Sequence, residues 1–154
     1  MVPVEVIPAT AAHAAAIAPI LRAADREEVR AACGLAPEEA LRLSLATSPL
    51  AWTGMAAGSP VCLFGAASPG LLGGPGRPWL LATDALVRHS AAFLRRNRAY
   101  VAAMLDEFGH LANHVDARNS VSVRWLRWLG FTLEPARPFG PYGLPFHPFH
   151  MRRP

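Results

Sequence analysis

His114 and Asp116 stand two positions apart in residues 111–116, a run that reads as a strand. Side chains at that spacing share one strand face, so an imidazole and a carboxylate placed there can pass a proton between them. The same spacing equally suits two polar groups decorating the wet face of a strand. His147 and His150 are three apart in another strand-like run, where they point to opposite faces and make no metal pair. Cys33 and Cys62 are far apart and fit no metal spacing, which leaves reduced thiols as the expectation. No Walker or Rossmann glycine pattern occurs, and no Ser or Cys has a His partner in its sequence context.

The elements that must hold these groups can be read along the chain. After the strand at 111–116, Asn119 suits the cap of a helix, accepting from an early backbone N–H. Val121, Trp125, Trp128 and Leu129 then recur at helical spacing, Gly130 stops the helix, and Phe131 anchors the exit. Upstream, residues 90–108 read as the longest helix, with Leu94, Val101, Leu105 and Phe108 on one face. Residues 79–85 read as a buried strand, preceded by a loop at 68–78 that holds four Gly and three Pro. Strands are expected at 2–7, 50–56 and 60–67, the last two joined by the turn Ala57-Gly58-Ser59-Pro60. Thr10 suits a helix cap, with Pro19 ending or kinking that helix before Leu21. Asp25 followed by Glu28 reads as a capping box for a second helix that Gly34 closes. Pro37-Glu38-Glu39 opens a third helix, acids matching its dipole. Strands at 131–135 and 145–151 finish the chain.

The 154 residues suit one domain, expected over 1–154. About half the residues are apolar and 17% are charged, which excludes general disorder. No apolar run approaches the roughly 20 residues that span a bilayer, and the N-terminus lacks a secretory pattern. A soluble cytoplasmic protein without membrane partners is expected. The formal charge of +4 comes from arginine alone, since the chain has no Lys. That bias reads as coding composition, although a modest positive field also favours an anionic partner such as a nucleotide. No zinc-finger spacing, basic run or stacking-aromatic motif points to nucleic acid.

Strand, three helices, antiparallel strands, helix, strand, helix and final strands make an α+β order on a central sheet. With the Asn119…Gly130-Phe131 helix, this order resembles the GNAT superfamily of acyl-CoA-dependent N-acetyltransferases along the whole chain. The resemblance implies a mixed central sheet of about six or seven strands with helices on both faces. It implies also that residues 79–85 and 111–116 are parallel neighbours that splay apart, with acetyl-CoA in the opening and an amine or protein as acceptor.

In that family the cofactor's pyrophosphate meets the helix start after the fourth strand, through the pattern Arg/Gln-x-x-Gly-x-Gly/Ala. The matching turn here is Val87-Arg88-His89-Ser90-Ala91-Ala92, in which Ser90 replaces a glycine and Val87 the leading Arg or Gln. Arg88, Ser90, Ala91, Ala92, Arg95 and Asn119 are thus the expected cofactor residues, helix N–H groups and cations being suited to phosphates. Arg95, Arg96 and Arg98 also read simply as a solvated basic face. Acetyl transfer needs a base for the amine; Asp84, His114 and Asp116 are the candidates, Asp84 being alternatively a turn or cap residue. The family's usual tyrosine acid is replaced by Leu126, which has no proton to give.

The wording Phe93-Leu94-Arg95, Arg124-Trp125-Leu126 and Pro145-Phe146-His147 is also similar to GNAT-like phage and prophage proteins, related to an internal virion protein of short-tailed phages. That narrower resemblance implies a phage or host protein partner, and a virion location beside the cytoplasmic one. A non-catalytic role in phage assembly stands as the alternative to acetyl transfer.

Overall fold

A computed structural model describes residues 3–154. The first strand, β1, runs Val4–Pro8; Val2, expected to begin it, lies outside the described residues. Thr10 caps α1 (Ala11–Ile17) through a reciprocal pair of bonds with His13, each 3.2 Å. Pro19 then tightens the chain into a short 3-10 turn, Ala18–Ile20. Two helices follow, α2 (Ala23–Cys33) and α3 (Pro37–Thr47). Asp25 does not cap α2: the helix starts earlier, after Arg22, and Asp25 is buried in its first turn. Gly34 closes it as expected.

Strands β2 (Leu50–Ala56), β3 (Ser59–Ala67) and β4 (Arg77–Ala82) extend β1 into an antiparallel sheet in the order β1-β2-β3-β4. β4 stops at Ala82, short of the expected 85, because Thr83 turns the chain into a five-residue helix, α4 (Asp84–Arg88). His89 breaks the helical path, and α5 (Ser90–Phe108) crosses to β5 (His110–Asp116). Asn119 caps α6 (Ser120–Leu129), accepting from Ser122 N at 3.4 Å, and Gly130 ends it with φ 103°. The chain finishes in β6 (Thr132–Leu133), β7 (Arg137–Phe139) and β8 (Leu144–Arg152).

β8 pairs with β5 on one edge and carries β6 and β7, all antiparallel. The fold is α+β, with eight strands in place of the expected six or seven. The sheet is not continuous. Its two four-stranded halves are joined by one parallel bridge, Gly76 to Leu111, with Gly76 N to His110 O at 2.9 Å and Ala112 N to Gly76 O at 3.0 Å. Beyond that bridge β4 and β5 separate.

Side chains alternate across each strand, so successive β3 and β4 residues feed two cores. Leu63 and Leu81 pack with Ile17, Leu21, Val29 and Leu41 beneath α1–α3. Phe64 and Ala82 pack with Phe93, Val101, Trp125 and Phe131 beneath α5 and α6. Trp125 is buried, whereas Trp128 is exposed and lies under the Arg98 guanidinium, 3.9 Å from its ring. No described helix is long and apolar enough to cross a membrane.

Candidate active site

Where β4 leaves β5, its free edge must find other partners or stay open. The β3–β4 pairing alternates, so Pro78, Leu80 and Ala82 turn their backbone polar groups toward the gap. Near the bridge, Asn113 spans the opening: its Nδ2 donates to Pro78 O and its Oδ1 accepts from His114 N, both at 2.9 Å. At the far end the link between α1 and α2 lies along β4, with Arg22 N bonded to Ala82 O at 2.9 Å. Between these two closures Leu80 offers an N–H and a C=O that no described residue meets.

The far closure is a buried polar knot. Asp25 Oδ2 accepts from Ala82 N at 2.8 Å, and its Oδ1 accepts from Asn119 Nδ2 at 3.1 Å. Arg22 donates to Asn119 Oδ1 at 2.9 Å and sits 3.8 Å from Asp25, over the Trp125 ring. Burial raises the pKa of Asp25 despite the neighbouring Arg22 charge. Asn119 therefore does more than cap α6: it carries two buried links to the opposite side of the gap.

α2 is held in place from its outer side as well. Gly140, at φ 75° in the β7–β8 turn, presses on the carbonyl of Ala31, and any Cβ there would collide with that oxygen.

Between Asn113 and the knot a tunnel of about 440 Å³ passes through the divided sheet. Leu80 and His114 flank it in the plane of the sheet. Val29 and Leu43 line it on the α2–α3 side, and Asn97, Val101 and Leu126 on the α5–α6 side. Its walls are largely apolar, with few polar groups, which is the usual character of a small-molecule site.

Two titratable groups stand at the α2 mouth. His114 stacks on Phe139 with ring centroids 3.9 Å apart, and burial followed by the Arg137 charge lowers its pKa, so the ring is neutral at pH 7. Glu28 Oε1 accepts from Asp116 N at 2.8 Å, and burial, reinforced by the nearby acids, pushes its carboxyl up to about 8. At neutral pH it is mostly protonated. One acceptor and one donor of protons thus face the same opening.

The expected site residues fall in four places, Asn119 being held in the buried knot by Arg22 and Asp25. His114 lines the tunnel, but no hydrogen bond joins it to Asp116 among the described residues; Asp116 is buried and binds Arg118 at 2.8 Å. Asp84 is exposed at the start of α4, in a separate cavity of about 430 Å³ shared with Arg88 and His89. Arg88 and Arg95 are exposed, Ser90 and Ala92 half-buried, and Ala91 exposed, all around the start of α5. Phe93 N is already bonded to His89 O at 3.1 Å, which restricts the anion-binding N–H groups to Ser90, Ala91 and Ala92. Glu28, Arg22, Asp25 and Asn97 carried no separate chemical signal in the sequence beyond the helix pattern.

No family sequence model and no curated relative matches the chain. Solved structures do. An acetyltransferase of the GNAT family from Streptococcus pneumoniae superposes with a TM-score of 0.67 at 12% identity, over 99% of this chain and 100% of that one. YncA of Salmonella typhimurium, solved with its cofactor acetyl-CoA, gives 0.68 at 17% identity, over 97% and 93%. The aminoglycoside acetyltransferase AAC(6')-Ib, in complex with coenzyme A and kanamycin, gives 0.68 at 17%, over 97% and 95%. At these identities the likeness is one of fold, and the fold is that of the GNAT acetyltransferases.

Proposed function

We propose that the protein is an acyl-CoA-dependent N-acyltransferase, with acetyl-CoA as donor and an amine as acceptor. The observation that carries this reading is the open edge of β4 at Leu80, inside a tunnel through the divided sheet. A strand edge with one free donor and one free acceptor holds an extended amide-bearing chain as another strand would. Bound there, the cofactor supplies an activated acyl thioester. Ser90, Ala91 and Ala92 at the α5 start, with Arg88 and Arg95 nearby, suit its phosphates. At the α2 mouth neutral His114 would take the proton that the acceptor amine loses, and the protonated Glu28 would give one to the departing thiolate sulfur. Leu126 lines the tunnel at the position of the missing tyrosine and contributes no proton.

Calorimetric titration with acetyl-CoA at low salt, followed by a CoA-release assay on a panel of amines and peptides, tests the reading. Heat with saturation and acceptor-dependent release support it; no heat at millimolar cofactor rejects it.

A second reading keeps the fold without turnover, as a phage assembly or host-interaction protein. Leu126 favours it, as does the far end of the gap, already filled by Arg22 and Asp25. Failure to bind cofactor together with capture of a virion or host protein would select it.

A further inference from the structure

We infer that Asn97 is a ligand-binding residue, pairing inside the tunnel with a secondary amide of the acyl donor's arm. This deepens the acyl-CoA reading and rests on it. Asn97 lies on α5 among Phe93, Leu94 and Val101, at helical positions that face the sheet, where an apolar side chain is the norm. It is 6% exposed, lines the tunnel, and makes no hydrogen bond to any described residue. A carboxamide seated on a core-facing helix position, open to the tunnel and without a bond to a described residue, is free to pair with a ligand or a water.

The chemistry of that ligand follows from the groups offered. A carboxamide presents both donors and acceptors, and so does the Leu80 backbone edge in the same tunnel. A plain alkyl chain satisfies neither, and an anion only the donors. A flexible chain bearing amides in series, otherwise apolar, satisfies both. Asn97 thus discriminates an amide-bearing arm from a simple acyl chain of similar girth.

The test uses the full chain with two probes, pantetheine and acetyl-CoA, on wild type and Asn97→Leu. The expected result is a displaced Asn97 side-chain amide resonance when pantetheine is added to 15N-labelled wild type. Asn97→Leu, similar in volume and free of the unpaired amide, should keep or raise the melting temperature and bind both probes about tenfold or more weakly. Binding by Asn97→Leu within about twofold of wild type, or an unmoved Asn97 resonance in the saturated complex, overturns the inference and leaves the acyl-CoA reading standing. Pantetheine binding that shifts Asn97, with no binding of acetyl-CoA, removes the acyl-CoA reading and keeps the amide site. If neither probe binds, both fall. The resonance is read on wild type, so the inference is decided even if the variant fails to fold.

Discussion

The Asp25 carboxylate on α2 holds the backbone N–H of Ala82, 57 positions away at the end of β4, at 2.8 Å. Arg22 supplies the opposing charge and Asn119 the bridge to α6. Asp25→Ala removes both the acceptor for Ala82 N and the charge beside buried Arg22, and breaking such a buried pair costs about 3–5 kcal/mol. Asp25→Ala should therefore lower stability in urea unfolding by that amount. Asp25→Asn, which still accepts from Ala82, should lose less. Equal losses from both would show that the charge, and not the bond to Ala82, dominates.

Trp125 and Trp128 make a contrasting pair on one helix. Trp125 is buried against the sheet core, while Trp128 is 42% exposed. Trp125→Ala should cost about 3–5 kcal/mol, and Trp128→Ala about 1 kcal/mol or less. Denaturant midpoints compared at equal slope give both values. A loss at Trp128 matching that at Trp125 would contradict the packing.

Glu28 links stability to pH. Its folded pKa is raised from 4.5 to about 8, so folding favours its protonated form. The stability it contributes is fully present below pH 4.5 and is lost as pH rises toward and through 8. Glu28→Gln should flatten the decline of stability between about pH 5 and 8, measured by thermal unfolding across that range. A variant that falls as steeply as wild type would show the carboxyl to be solvated.

For catalysis, a positioned acid or base typically contributes about 10²–10⁴-fold. His114→Ala should reduce CoA release by a factor in that range without changing acetyl-CoA affinity. Leu126→Tyr, which places a hydroxyl in the tunnel wall, should raise that rate. Unchanged turnover in His114→Ala would assign the base elsewhere.

Local signals were legible in the sequence, and distant partnerships were not. Thr10, Pro37, Asn119 and Gly130 act within a few positions, and the helices they bound lie where their side chains foretell. The α+β order followed from those boundaries, whereas the expected parallel pairing of β4 and β5 in one sheet is reduced to the single bridge at Gly76, the two strands lying in separate antiparallel sheets. Asp25 misled because its real partners, Ala82 and Asn119, are 57 and 94 positions away, so a helix-start pattern hid a buried link. Glu28 was hidden in the same pattern, its meaning set by Asp116. Asn97 looked like an unremarkable residue among arginines until the helix face was seated on the sheet. Thr83 still bonds β3, its N–H pairing with Val61 O at 2.9 Å, but it is the residue that leads into α4, and that turn ends β4 earlier than the apolar run suggests.

The single bridge at Gly76 and Leu111 gives the sheet a pivot. A side chain at position 76 would drive into the Phe108 ring at the end of α5, which favours glycine at the bridge. Opening them further at the far end strains no ladder hydrogen bond, because β4 and β5 share none beyond that point. Links across the gap are made by side chains: Asn113 near the pivot, Glu28 on Asp116 N, and the Asp25 knot at the rim. The gap is thus sprung at both ends and hinged at one. The two half-sheets are coupled by a few long-range side-chain bonds and not by a ladder.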